Sequence, residues 1–264
     1  MSLPWIFLCP STRGISHALL SHLLQTTHPS IPILCTHRPE SKPPSLPSSS
    51  HQPGSDGRRI HTIPLDVTSP DTISQAAQEA SRLFPKSTHH LHLSFALPGI
   101  LLNPERSSRQ IDAVASLKTF QTNTLGPLLL IKHFSQFLPS RSTTTLEDVP
   151  GLPRQAIWTC MSARVGSTSD NKLGGWYSYR ASKAAVNSIV KTFDVELKQK
   201  SGEAAMAVGY HPGTVKTDLS KDFWGGRDMF TPEEAAEKMA GVIMGLDLEK
   251  RGRCWDWKGE EILP

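Results

Sequence analysis

The sequence has no apolar run approaching the roughly twenty residues that a membrane-spanning helix needs, and only four of its 264 residues are cysteine. The first absence argues against membrane insertion. Cys9, Cys35, Cys160 and Cys254 are widely spaced, and the first three fall inside apolar runs. Such spacing offers neither a disulfide framework nor a zinc ligand set, so they read as reduced core thiols of a cytoplasmic protein. Charge of one sign is scarce too: the net charge is +4 and the basic residues are scattered. That leaves no electrostatic footprint for nucleic acid. The opening apolar run, Pro4 to Cys9, has no basic stretch before it and no cleavage site after it. It reads as a first strand rather than a secretion signal.

What is present is the composition of a globular domain, 38% hydrophobic and 20% charged, and one stretch rich in chemistry, Trp176 to Asn187. Tyr179 and Lys183 lie four residues apart, and Val186, Ile189, Val190, Phe193 and Leu197 follow at helical period. One helix face therefore carries both polar heads. An ammonium beside a phenol favours phenolate and lowers its pKa. The pair is equipped to protonate an alkoxide as a carbonyl is reduced, or to take a hydroxyl proton in reverse. The bland alternative is an exposed tyrosine on an amphipathic helix.

The string Tyr179-Arg180-Ala181-Ser182-Lys183 resembles the active-site signature of the short-chain dehydrogenase/reductase family. Other segments resemble that family in the same order. After the first strand, the turn Pro10 to Ser16 leads into a helix with Ala18, Leu19, Leu20, Leu23 and Leu24 on one face. A strand, turn and helix of this kind aims N–H groups and a helix dipole at a pyrophosphate. The family's turn has three glycines; here Gly14 alone remains, with Pro10 and Ser16 in the outer positions. The resemblance assigns Ser11, Thr12, Arg13, Gly14 and Ile15 to the cofactor.

The second strand is expected at Ile31–Cys35, followed by Arg38 where an acidic residue would hold a ribose 2′-hydroxyl and a basic one suits a 2′-phosphate. Together with Arg13 it points to NADP(H), because guanidinium binds phosphate in a bidentate manner. The alternative is that both are solvated surface arginines. Residues 39–59, rich in Pro, Ser, Gly and His, read as a low-complexity, mobile insertion. A third strand at His61–Leu65 runs into Asp66 and Val67, the family's position beside the adenine. Ser69 and Pro70 then open a helix.

His89, His90 and His92 do not read as a metal cluster, since adjacent strand residues face opposite ways and no further ligand is near. A fourth strand, Leu91–Ala96, leads to Ala96-Leu97-Pro98-Gly99, where relatives show Asn-Asn-Ala-Gly. Only Gly99 matches, which leaves cofactor contact at Ala96 and Gly99 to backbone and packing. Asn123, ahead of Gly126 and Pro127, is locally unfavourable inside a helix and predicts a kink or a tertiary purpose. The resemblance makes Asn123 the holder of a relay water; a satisfied buried asparagine is the alternative.

The fifth strand, Ala156–Met161, precedes the family's carbonyl-binding serine. Counting back from Gly166 puts that position on Ala163, so the role falls to Ser162 or Ser167, with Ser162 preferred at the strand's end. Residues 170–175 read as a small insertion. After a sixth strand, Ala205–Tyr210, the residues Pro212, Gly213, Val215 and Thr217 resemble the turn that presents backbone groups and a threonine to the nicotinamide. Residues 219–230, with Phe223, Trp224, Met229 and Phe230, read as an apolar substrate lid. Thr231-Pro232-Glu233-Glu234 caps a further helix, and Cys254–Trp257 is a short last strand.

The expected fold is α/β, a single doubly wound Rossmann-type domain over residues 1–264, with a seven-stranded parallel sheet and helices on both faces. The resemblance is to the small carbonyl-reductase-like branch that includes C-factor and sniffer-type proteins. It implies an NADPH-dependent oxidoreductase moving hydride between the nicotinamide and a small ketone or aldehyde. Ser162 would polarise the carbonyl and Tyr179 would donate the proton. Lys183 would tune the phenol and hold the ribose, and Asn123 would complete the relay. The expected partner is a small-molecule carbonyl or alcohol, not nucleic acid or membrane, with a homodimer or homotetramer left open. The alternative is a catalytically weak nucleotide-binding regulatory or scaffold protein, supported by Pro10, Ser16, Ala96-Leu97-Pro98 and Ala163.

Overall fold

The structure, a computed structural model, describes residues 1–44, 59–144, 149–223 and 229–264. Most of the expected insertion at 39–59, and the middle of the expected lid at 219–230 with Trp224, lie outside the described residues.

Eight strands form one sheet in the order β3-β2-β1-β4-β5-β6-β7-β8. They are β1 Leu3–Cys9, β2 Ile33–His37, β3 Ile60–Pro64, β4 His89–Ala96, β5 Ala156–Met161, β6 Ala205–His211, β7 Cys254–Asp256 and β8 Glu261–Ile262. The first seven run parallel, as expected; the eighth corrects the count and pairs antiparallel with β7. Two residues carry no readable period. Their strand exists because Asp256 closes a tight hairpin, its Oδ1 accepting from Lys258 N and Glu260 N at 2.9 and 3.0 Å. Gly259, with φ of 77°, supplies the left-handed corner.

Strand alternation sorts the core into two layers. Trp5 and Phe7 face the side covered by α2 (Pro70–Leu83), α4 (Gly126–Phe134) and α5 (Tyr177–Lys200). Ile6 and Leu8 face α1 (Gly14–Thr26) and α6 (Pro232–Met244). A short helix, α3 (Ala113–Phe120), leads into α4. Strand order reverses between β1 and β4, so the cleft where open α/β sheets bind ligands lies beyond Cys9 and Ala96. Among the described residues no helix is long and apolar enough to cross a membrane. All four cysteines are free and buried, and burial pushes Cys9, Cys35 and Cys254 up to about 12. They remain thiols.

The histidines of β4 settle into a neutral chain at the opposite end of the sheet. Pairing jumps from Trp5↔Leu91 to Ile6↔Leu93, leaving His92 as an extra residue in the strand. His92 Nε2 lies 2.7 Å from the Pro153 carbonyl and must carry its proton. Its Nδ1 then accepts from His90 Nε2 at 3.0 Å, and His90 Nδ1 accepts from Ser2 Oγ at 3.1 Å. Burial pushes His90 down to about 3.

Candidate active site

Residues far apart in sequence meet where β1, β4, β5 and β6 end. Ser11 is fully buried, with its N–H and its Oγ both donating to the Thr36 carbonyl at 3.0 and 2.9 Å. Its side chain therefore ties β1 to β2 and is not available to a ligand. Arg13 stands at the N-cap of α1 without a side-chain cap, and the first turn holds no acidic residue, so the N-terminal N–H groups keep their capacity for an anion. Gly14, with φ of 57°, lies where a Cβ would come 3.3 Å from Thr217 Cγ2. The turn after β1 and the threonine after β6 thus touch.

Arg13 and Arg38 are both exposed, and among the described residues each has its carboxylate partner at 3.9 Å (Asp218 and Glu40). Contacts that loose in water hold the guanidinium groups weakly. Asp66 uses one oxygen locally, Oδ1 accepting from Thr68 N and Thr68 Oγ1 at 2.8 and 2.7 Å. Val67 packs on Gly126, where a Cβ would lie 3.0 Å from Val67 Cβ. Gly126 is small so that α4 can approach this turn.

The kink expected around Asn123 is a π-helical turn, Gln121–Leu125, with Gly126 N bonding back to the Gln121 carbonyl. Asn123 is fully buried and its amide is spent: Oδ1 accepts from Ile100 N at 2.8 Å, while Nδ2 donates to the Ile100 carbonyl at 2.9 Å and to Ser182 Oγ at 3.1 Å. It grips the chain leaving β4 and ties it to α5. That supplies the tie missing from Ala96-Leu97-Pro98, whose other anchor is Leu97 N on the Cys9 carbonyl at 2.7 Å.

Tyr179 and Lys183 share one face of α5, the ammonium 5.8 Å from the centre of the phenol ring. Lys183 is 1% exposed and donates to the Met161 carbonyl at the end of β5, at 2.8 Å. Gly99 brings the β4 loop to the same point; a Cβ there would sit 3.6 Å from Lys183 Nζ. One electrostatic expectation is corrected. Burial raises Tyr179 to about 12 and lowers Lys183 to about 8, so desolvation outweighs the attraction that was expected to pull the phenol down.

Both serine oxygens have hydrogen-bond partners of their own. Ser162 Oγ donates to Asn187 Oδ1 at 2.6 Å, one helical turn beyond Lys183, and its N–H bonds the Tyr210 carbonyl at 2.8 Å. Ser167 Oγ accepts from Asp170 N at 3.0 Å, within its own loop. Ala163, at the family's serine position, has no hydroxyl. Beyond β6, Gly213 has φ of 76° and a Cβ there would come 2.9 Å from Phe230 and Trp257. Val215 bridges to Phe230, whose carbonyl accepts from Lys216 N at 2.9 Å, and these contacts anchor the C-terminal end of the expected lid.

No family model matches the chain. A 1-hydroxy-2-glutathionyl-2-methyl-3-butene dehydrogenase of Rhodococcus sp. is 36% identical over 184 residues, 69% of this chain and 70% of that protein. The C-signal protein of Myxococcus xanthus is 34% identical over 155 residues, covering 58% of this chain and 80% of that protein. The chain belongs to the short-chain dehydrogenase/reductase family. The fold agrees: an NADPH-bound carbonyl reductase from chicken fatty liver superposes over the whole of both chains with a TM-score of 0.80 at 24% identity.

In this short-chain dehydrogenase/reductase, two supports of the site went unread in the sequence. Glu105 caps α5 from a distant loop, and Gly166 lets the loop after β5 lie against the backbone of α5. A Cβ at Gly166 would fall 2.7 Å from the Lys183 carbonyl carbon and 2.8 Å from Lys183 Cβ. Its φ is ordinary, so only the close approach demands glycine. Gly166→Ala is expected to cost about 1–3 kcal/mol of stability through overpacking and to lower kcat by moving Lys183. Denaturant unfolding and turnover of the same variant check this; wild-type values of both would refute the contact.

Proposed function

We propose that this protein is an NADP(H)-dependent reductase of small aldehydes or ketones, equally able in principle to oxidise the matching alcohol. The observation that carries the reading is the meeting of Tyr179, Lys183 and the Gly99 loop at the strand ends beside the switch point. The known relatives support it: one acts as a dehydrogenase, and a carbonyl reductase of the same fold binds NADPH.

The residues present fit the dinucleotide. The uncapped start of α1 and Gly14 suit its pyrophosphate, Arg13 and Arg38 its 2′-phosphate, Asp66 and Val67 the adenine end, and Gly213, Val215 and Thr217 the nicotinamide. When bound, the cofactor supplies or accepts the hydride. The chain's own contribution is placement and the proton. A phenol held above its ordinary pKa stays in its donating form at any working pH, ready for an alkoxide, a much stronger base. Lys183 stabilises the phenolate left behind. With the Asn123 side chain committed, any relay through this residue uses its main chain in the π turn.

Carbonyl polarisation is the weak point of the family pattern here, because Ser162 must release Asn187 to reach a substrate. That observation favours the second reading, a nucleotide-binding protein with little turnover. A panel of aldehydes, ketones and diketones with NADPH separates the two: tight cofactor binding without oxidation on any of them selects the scaffold. In the same assay Arg38→Asp is expected to weaken NADPH binding by about 10- to 100-fold, the loss of one charge-assisted phosphate contact, and to leave NADH within about threefold. An unchanged preference removes Arg38 from the phosphate site.

A further inference from the structure

Trp176 directly precedes α5 and takes a left-handed backbone, φ 55° and ψ 41°, following Gly174 and Gly175 at φ of 63° and 65°. Glycine tolerates that region; a bulky side chain does not adopt it without being held. Trp176 also occupies the helix N-cap, where a serine or aspartate would normally bond the first N–H groups, and it makes no side-chain cap. A position that combines a disfavoured backbone with a forfeited cap is explained if the direction of its side chain is what matters.

The surrounding contacts hold it there. Its N–H donates to the Glu105 carbonyl at 2.5 Å, and its own carbonyl accepts from Arg180 N at 2.8 Å. Glu105, 6% exposed, takes over the missing cap from the loop between β4 and α3. Its carboxylate accepts from Ser178 N at 3.3 and 3.4 Å and from Ser178 Oγ. Ser178 Oγ in turn meets Ser116 Oγ of α3 at 2.7 Å. Arg180 fastens the preceding loop, donating to the Gly175 and Val165 carbonyls at 3.0 and 3.2 Å. The result is a half-buried indole set edge-on to the Tyr179 ring, centres 6.1 Å apart and planes at 72°. Lys183 approaches the Tyr179 ring as well, on the side of the buried β5 end.

We propose that Trp176 is a specificity-determining side chain that contacts the substrate as an aromatic wall beside Tyr179, selecting carbonyl compounds with an aryl or similarly flat apolar group next to the carbonyl. Glu105 is the positioning residue that keeps this wall in place. The inference rests on the reductase reading above. An indole edge or face offers such a group both apolar burial and quadrupole contact, while a compact aliphatic carbonyl gains little from it.

The test measures kcat and KM with NADPH for benzaldehyde and for propanal, in the wild type and in Trp176→Phe, Trp176→Leu, Glu105→Gln and Glu105→Ala. Expected is a KM for benzaldehyde raised about 10- to 100-fold in Trp176→Leu and Glu105→Ala, with propanal within about threefold. Trp176→Phe and Glu105→Gln, which keep a ring and a capping acceptor, should retain most of the discrimination. Leucine keeps an apolar side chain without a ring, and retained propanal turnover separates loss of the ring from loss of folding. NADPH affinity, read by fluorescence titration, should stay level throughout. A wild type that reduces both aldehydes while Trp176→Leu slows both alike, or neither, overturns the wall and leaves the reductase reading intact. So does a wild type with no preference for benzaldehyde. A wild type that binds NADPH and reduces neither aldehyde, nor any carbonyl of the wider panel, removes the reductase reading and this inference together.

Discussion

Tyr179→Phe is expected to lower kcat for carbonyl reduction by about 10²- to 10⁴-fold, the usual worth of a positioned general acid, with NADPH affinity nearly unchanged. The substitution is narrow. The phenyl ring keeps its edge-on contact with Trp176 and its place beside Lys183, so only the hydroxyl is lost. Because burial holds the phenol at about 12 and the amine at about 8, the two groups titrate in different ranges. The phenol stays protonated through neutral pH and sets no limb there. Lys183 loses its charge as pH rises through about 8, and with it the stabilisation of the phenolate formed in the reaction. Reduction should therefore slow on the alkaline side of that value. Steady-state kinetics across pH check both statements, and full activity in Tyr179→Phe would remove Tyr179 as the proton donor.

Asp194→Ala should cost about 3–5 kcal/mol, the range for breaking a buried ion pair, or a fall in Tm of roughly 10 °C for a chain of this size. Asp194 and Arg251 have side chains only 4% and 15% exposed, with Nε 2.9 Å from Oδ2. The guanidinium also donates to the Gly202 and Ala205 carbonyls at 3.0 and 3.2 Å, and Asp194 Oδ1 accepts from Ala207 N at 3.0 Å. This one carboxylate therefore joins α5, the loop after it, the start of β6 and the segment before β7. Removing it strands a buried cation and an unpaired N–H, and water cannot easily reach either. Asp194→Asn, which keeps an acceptor, should lose less. Thermal and urea unfolding measure the difference; a loss under about 1 kcal/mol would show that the site relaxes around the gap.

Much of this was legible because it is periodic or local. Alternation of Trp5 and Phe7 against Ile6 and Leu8 sorts each strand onto two helical layers, and the spacing from Tyr179 to Leu197 fits one buried helix face. The kink at Asn123 was visible from Gly126 and Pro127, and the turn at Gly213 from its proline and glycine. Strand limits slipped by up to two residues, at the start of β4 and at β2, where Ile31 is buried but lies outside the ladder. The two-residue β8 had no pattern to find.

By itself, then, the sequence determined the alternating strands and amphipathic helices through their hydrophobic period, and, through the resemblance of short motifs such as Tyr179 to Lys183, the family and its doubly wound sheet. The tertiary structure alone decided how those groups are tuned and held. Desolvation reverses the expected shift at Tyr179. Ser162 is spent on Asn187 and Asn123 on Ile100, and Glu105 caps a helix more than 70 residues away. Burial and long-range hydrogen bonds depend on what lies nearby in space, and no local pattern encodes which distant partner arrives.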